Sequence, residues 1–287
     1  MAEIAKPTVT GKLPQLTAKN ALTRADHKLT DYTPEDLPSG ERWVSMSNAI
    51  VRSAQGLSLP EKQIIMLSIS KLDSRKFHGK DNLPRIRLTA AEMVDAYGID
   101  QSDAYKYLKK AGDHLYERSL VFREQAPSRA KSGKKPGEVV MRCRWIGSQK
   151  YHDGEGWIEM VFWPEIVPHL TALKGRFTEY QMKQVARLRS NYSWRLLEVL
   201  MQFSGKDKKT PAGTVLIEIG DFHHAMEAAP SQRANFGEMR RRIIEPAIKE
   251  LMEKDGWLID WKPIKRGRKV AQLQFRFARN PQGQLPL

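Results

Sequence analysis

One order of elements is written twice along this chain, and that repetition narrows the folds open to it. In the first pass a helix is expected around Ser47–Ala54, followed by SLPEKQIIMLSISKL, with Ser58 as its N-cap and Pro60 just inside its start. Ile65, Ile69 and Leu72 recur at i, i+4 and i+7 and give this second helix an apolar stripe. RIRLTA reads as a short strand, and AAEMVDAYG as a short helix capped by Thr89 and stopped by Gly98. QSDAYKYLKKAGDHLYER is a longer helix, after which SLVFRE, EVVMRCRWIGS and GWIEMVFW are strands. The insert PSRAKSGKKPGE between the first two reads as a mobile basic loop. In the second pass YQMKQVARLR and NYSWRLLEVLMQF are expected to be helices, TVLIEIG a strand, DFHHAMEAA a short helix and NFGEMRRRIIEPAIKELMEKD a long one. GWLIDWKPI and KVAQLQFRF then form a strand pair joined by KRGR. Helices, strand, short helix, long helix and hairpin is the order of a helix-turn-helix followed by a wing. The expected class is α+β: two tandem winged-helix domains over residues 41–172 and 173–287, preceded by a flexible basic arm over residues 1–40. The link WPEIVPHLTALKGRF is short and holds two prolines, so the spacing of the two domains should be nearly fixed.

Charge narrows the partners. Lys plus Arg number 48 against 33 Asp plus Glu, a surplus of +15 that favours a polyanion. No apolar run of about 18 residues is present to cross a bilayer, and the N-terminus lacks the apolar stretch of a signal peptide, so a soluble cytoplasmic protein with no membrane partner is expected. A lone cysteine, Cys143, forms no internal disulfide and no Cys-rich zinc site, and it reads as an ordinary strand residue. The arm reads first as a solvated tail, with phosphate contact through Lys19, Arg24 and Lys28 as the alternative.

Two helices carry the nucleic-acid signal. In the first long helix Ala104, Leu108, Ala111 and Leu115 make the inward face; Lys106, Lys110 and Asp113 lie opposite, with Tyr107 and Lys109 on the flanks. An ordinary solvated face explains lysines equally well; the short helix and the Gly98 turn before it favour a recognition helix. In the second, Met239, Ile243, Ala247 and Leu251 form the stripe, widened by Ile244 and Ile248, and Arg233, Arg240, Arg241 and Arg242 crowd the N-terminal half. Residues step by about 100°, so Arg241 points most nearly away from the stripe and is the first choice for reading a base, with Arg242 next. Pro246 removes a donor inside this helix, and a kink is expected there. The run of Lys265, Arg266, Gly267, Arg268 and Lys269 sits at the second hairpin tip, where a basic wing meets phosphate or the minor groove.

Catalysis lacks its residues. There is no Gly-rich loop ending in Gly-Lys-Ser/Thr, no helical His-x-x-x-His and no cysteine pair; no catalytic residue, metal or cofactor is therefore expected. His223 and His224 are adjacent and diverge by about 100° on a helix, so they do not converge on one metal as a nicking enzyme requires.

The segments FTEYQMKQVARLRSNYSWRLLEVLMQF, RRRIIEPAIKELMEKDGWLIDW and KRGRKVAQLQFRF resemble the C-terminal winged helix of the iteron-binding plasmid replication initiators. WVSMSNAIVRSAQGLSLPEKQIIMLSISKLDS and AAEMVDAYGIDQSDAYKYLKKAGDHLYERSLVF are similar to the N-terminal domain of the same family, so the resemblance runs from about residue 43 to 278. It implies a protein that binds direct repeats in double-stranded origin DNA, helps open the duplex, and recruits the host replication initiator, helicase and chaperones. It also implies repression of its own gene at an operator, by a homodimer in equilibrium with monomer and joined through the N-terminal domain. The insert at residues 125–137 lies beside the sheet implied for that dimer. By position, the recognition helices are Gln101–Glu117, with Lys106, Lys109 and Lys110, and Asn235–Asp255, with Arg233, Asn235, Arg240, Arg241 and Arg242. A tandem winged-helix repressor without a replication role fits the physics of the helices equally; only the resemblance separates the two.

Overall fold

Both passes fold as winged helices in a computed structural model that describes residues 34–79, 81–125, 138–205 and 211–280. Lys19, Arg24, Lys28 and nearly all of the basic insert lie outside the described residues. The first unit contains β1 (Trp43–Ser47), α1 (Asn48–Arg52), α2 (Leu59–Ser70), β2 (Arg85–Thr89), α3 (Ala90–Tyr97) and α4 (Gln101–Leu115). It continues through β3 (Ser119–Gln125), β4 (Glu138–Arg144), β5 (Ile146–His152) and β6 (Trp157–Phe162). The second contains β7 (Phe177–Gln181), α5 (Asn191–Met201), β8 (Ala212–Glu218), α6 (Ile219–Ala225) and α7 (Pro230–Ala234). It ends with α8 (Phe236–Met239), a π-helical turn (Arg240–Ile244), α9 (Glu245–Asp255), β9 (Trp257–Arg266) and β10 (Lys269–Arg279). The sheets have the same strand order, β2-β6-β5 and β8-β10-β9, so the duplication extends to strand pairing.

Local signals account for the element ends. Thr89 accepts from the Glu92 amide at 3.2 Å, and Glu92 accepts from the Thr89 amide at 3.0 Å, closing a reciprocal cap on α3. Gly98 takes φ 63° and ends α3 in the left-handed region, which costs glycine no steric strain. Cys143 lies in β4 opposite Leu120; burial pushes its thiol up to about 11, which keeps it protonated at neutral pH.

Four expectations need correction. The segment YQMKQVARLR is not a helix: Tyr180 and Gln181 belong to β7, and a short 3-10 turn, Met182–Gln184, follows. Strand pairing overrides helical patterning because β7 pairs antiparallel with β1, placing Val44 opposite Tyr180 and Ser45 opposite Glu179. EVVMRCRWIGS is not one strand, because the chain changes sheets at Trp145, which is fully buried and donates its indole N–H to the Gln55 carbonyl at 2.8 Å. The first wing is consequently β5–β6, and β3–β4 is a separate two-stranded hairpin inserted before it. Helix α2 is not striped, for every residue from Glu61 to Ser70 is buried. Finally, Arg233 lies on α7, outside the long helix.

Among the polar residues of α2, Lys62 reaches across to the second unit. Lys62 Nζ lies 2.9 Å from the Glu198 carboxylate, and Arg195 Nη1 reaches the same carboxylate at 2.7 Å. Arg195 Nη2 also donates to the Val51 and Ser53 carbonyls at 2.9 and 2.8 Å, and the Tyr180 hydroxyl donates to Glu198 at 3.0 Å. Burial pulls the Lys62 ammonium down to about 8 against the opposing pull of Glu198. Burial also presses the Glu198 carboxyl upward, but Lys62 and Arg195 outweigh it and hold the group below the usual carboxylate range. The Gln55 and Gly56 amides each donate to Glu227 at 3.0 Å, adding a tie from the first unit to the end of α6. Along the link, the Ala172 and Leu173 amides donate to the Lys76 and Ser74 carbonyls at 3.0 and 3.1 Å. The two winged helices are thereby joined by a ladder, a buried ionic network and a pinned link.

Candidate nucleic-acid interface

The inward faces of both long helices lie as their periodicity predicts. Ala104, Leu108, Ala111 and Leu115 are buried on α4, and Met239, Ile243, Ile244, Ala247, Ile248 and Leu251 are buried along α8–α9. Each large aliphatic side chain buried this way contributes about 1.5–3 kcal/mol, enough to fix the outward face. On α4 that face carries Lys106 and Lys110, both exposed. Tyr107 is half-buried against the core and donates its hydroxyl to the Gln63 side chain, so it is set apart from the lysines. Lys109 is tied to the first wing, with its ammonium 2.8 Å from Asp153 and 4.6 Å from the centre of the Tyr151 ring. The hydrogen bond to Asp153 outweighs a small desolvation cost and raises the Lys109 ammonium above the ordinary lysine value.

Asn235 caps the second recognition helix, its side-chain oxygen accepting from the Gly237 amide at 2.9 Å. Arg233, one helix earlier, donates to the Ala228 carbonyl at 2.6 Å. The deformation expected near Pro246 takes the form of the π-helical turn Arg240–Ile244 immediately before α9. Proline has no N–H, and its ring crowds the carbonyl four residues back, here that of Arg242; a widened turn relieves both problems without breaking the helix. The arginine triplet falls within this turn. The side chains of Arg240, Arg241 and Arg242 are 57, 69 and 65% exposed, so all three face solvent although no two consecutive residues share a helix face. Arg240 pairs with Glu245 at 2.6 Å and lies 6.0 Å from the Trp261 ring on β9. Arg241 and Arg242 both bond Glu238, the latter at 2.7 Å.

The wings differ in sign. Lys269 pairs with Arg266 across a tight turn of Gly267 and Arg268, with Gly267 at φ 63°, and Lys265, Arg266, Arg268 and Lys269 are all exposed at this tip. The first wing turns through His152, Asp153, Gly154, Glu155 and Gly156, with Asp153 held by Lys109 and Glu155 accepting from the Trp157 indole at 2.6 Å. Sequence reasoning missed Asp153, because the pairing of β5 with β6 was not evident. It also missed Glu238, although a glutamate three and four residues before two arginines is a readable pair spacing.

Among the described residues no cluster of three or more His, Cys, Asp and Glu side chains is placed to hold a metal. His224 instead packs between the units, with Nε2 3.1 Å from the Val121 carbonyl and 3.3 Å from the Ala54 amide. No helix among the described residues is long and apolar enough to cross a membrane.

Comparison with known proteins agrees with this architecture. Residues 43–201 match the family model described as the WH1 domain of the initiator replication protein, and residues 218–277 match its WH2 counterpart. An uncharacterised 27.6 kDa protein of Escherichia coli is 22% identical over 220 residues, which cover 74% of this chain and 85% of that protein. The crystal structure of the Pi initiator protein in complex with iteron DNA superposes with a TM-score of 0.66 at 19% identity, over 84% of this chain and 99% of that one. With both of its winged helices matched in order, the chain belongs to the family of Rep replication initiators built from a WH1 and a WH2 domain.

Proposed function

We propose that this chain is a plasmid replication initiator that binds directly repeated origin sequences in duplex DNA through both winged helices and helps to open the origin. The observation that carries the reading is the coupling of two cation-faced recognition helices within one body by the β1–β7 ladder and the Lys62–Glu198 network. The family membership and the iteron complex of the Pi initiator support the choice of origin repeats over an unrelated operator. In this reading Arg241 and Arg242 meet base edges, while Lys106, Lys110, Arg240, Lys265, Arg266, Arg268 and Lys269 meet phosphate. Asn235 fixes the entry of the helix into the groove. Lys109 and Arg233 are secondary: Lys109 is drawn toward the first wing by Asp153, and Arg233 lies on α7, outside the recognition helix. The protein acts by binding, and chemistry at the origin belongs to recruited host proteins: the replication initiator, the helicase and chaperones. The division into working domains near residue 172 and a place on the plasmid in the cytoplasm belong to the same proposal. A plasmid carrying the cognate repeats should replicate only when this chain is supplied; failure to replicate, with operator binding intact, would leave a repressor.

Two outcomes are expected in binding assays. Neutralising about 8 phosphates gives a slope near −7 for log affinity against log salt, whereas a slope shallower than about −3 would place the basic surplus away from DNA. Arg241→Ala should lose specific binding by about 1–3 kcal/mol and leave non-specific binding nearly intact, while Lys110→Ala weakens both alike. Competition titrations that reverse this pattern would exchange the two roles.

Autorepression by a homodimer is part of the proposal. It is supported by the β3–β4 hairpin, where Val139 and Val140 are 46 and 58% exposed on a strand paired on one side. Val140→Asp should shift sedimentation toward monomer by about tenfold or more in dissociation constant, since each buried valine is worth about 1.5–3 kcal/mol. An unchanged dimer would move the interface elsewhere.

A further inference from the structure

Glu238 is a carboxylate on the outward face of a recognition helix in a chain of net charge +15. It stands three residues after the N-cap Asn235, the position from which a glutamate ordinarily reaches back to the amide of its cap. Glu61 and Glu92 do so on α2 and α3, accepting from the Ser58 and Thr89 amides at 2.7 and 3.0 Å. Glu238 does not: the Asn235 amide is taken by the Ser231 carbonyl at 3.0 Å, and both carboxylate oxygens turn forward to the guanidinium groups of Arg241 and Arg242. Exposed pairs of this kind contribute at most about 1 kcal/mol to stability, so folding gives little reason to put a negative charge where phosphate must approach.

We infer that Glu238 is a positioning and specificity-determining residue: it holds the Arg241 and Arg242 forks in orientation for base edges and penalises their capture by phosphate. A guanidinium is free to clamp phosphate on any sequence, and that term adds affinity without selectivity. A carboxylate bonded to two such groups screens them, and the wrong sequence offers no base acceptor to compensate for loosening the pairs. The right sequence supplies guanine O6 and N7 to forks already aligned, so less orientational freedom is lost on binding. Asp153 holds Lys109 at 2.8 Å in the first unit, but only one cation is involved there and no arginine fork.

This inference rests on the proposed DNA-binding role, and one experiment separates their failures. The full chain, wild type and Glu238→Gln, is used to enrich sequences from a pool of duplexes randomised over several helical turns. Each protein is then titrated against the enriched duplex and against unselected pool over a range of salt. The variant is expected to bind unselected duplex more tightly, with a salt slope steeper by about 1–2 from the released arginines. Its ratio of specific to non-specific affinity should fall about tenfold, the scale of one good base contact. Glu238→Asp should restore part of the ratio, a recovery that a simple loss of helix stability does not give, and melting of both variants checks the fold. A wild-type protein that enriches no sequence overturns the DNA-binding role together with this inference. A Glu238→Gln protein that enriches the same sequence with an undiminished ratio overturns this inference alone.

Discussion

Glu198→Ala is expected to destabilise the protein by about 3–5 kcal/mol, the cost of removing one partner from a buried ionic network. The carboxylate accepts from Lys62, Arg195, Tyr180 and Gln55, so its loss strands two cations with no route to solvent. Stranding, more than the worth of any single bond, sets the size of the effect, because a buried unpaired charge carries its full desolvation cost. For a chain of this length the melting temperature should fall by roughly 10 °C. The exposed Arg241→Ala serves as control and should stay within about 0.5 kcal/mol of wild type. A double replacement of Lys62 and Glu198 by well-packed apolar residues should recover only part of the loss, because Arg195 remains a buried ion without its carboxylate. A Glu198→Ala chain that unfolds within about 1 kcal/mol of wild type would mean that water reaches the network and that the units are coupled loosely.

The same network gives a pH dependence of definite sign. The Glu198 carboxyl is held below its unfolded value, so its contribution is present at neutral pH and lost as pH falls through its folded value. The Lys62 ammonium titrates at about 8 in the fold, below its unfolded value. Between about 8 and the ordinary lysine range the unfolded chain therefore binds the extra proton, and this residue's contribution rises with pH. Lys62→Met removes that rising limb.

What could be read from the sequence was whatever neighbours decide. Thr89 and Gly98 bracket α3 by cap chemistry that spans only a few residues, and the Met239–Leu251 stripe repeats within one helix. What could not be read depends on partners far along the chain. Lys62 and Glu198 are 136 residues apart, so Lys62 looks like a solvated lysine until the second unit closes over it. Strand existence was legible in SLVFRE, EVVMRCRWIGS and GWIEMVFW, but pairing was not, because the hairpin partner of β6 is the polar strand IGSQKYH. On the interface, the cations announce themselves by charge. Of the carboxylates that hold them, Glu238 is local and readable by spacing, whereas Asp153 is not, since it meets Lys109 only after the wing folds back on α4.

A five-base-pair insertion between the two half-sites is expected to lower affinity by about 100-fold or more, and a full-turn insertion should not restore it. The first outcome follows for any pair of linked DNA readers, because half a turn carries one major-groove segment to the far side of the duplex. Linked modules exceed either affinity by about 10²–10⁴-fold, and that gain is lost when both cannot engage at once. The second outcome follows from this fold. Cutting the chain between residues 172 and 173 would part β1 from β7 and open the Lys62–Glu198 network, so separate halves do not report on how the intact protein spans its site. With ladder, network and pinned link intact, the recognition helices are held at one separation, which the proposed reading of the site expects to match the roughly 34 Å of one helical turn. A full-turn insertion restores the groove to the correct face but moves it a further turn away, about 34 Å, beyond the reach of a rigid pair. A flexible link would tolerate that displacement and recover most of the affinity. Titration of the three duplexes at one salt concentration decides the matter: recovery by the full-turn insertion would show that the two winged helices separate on DNA and that their coupling holds only in the free protein.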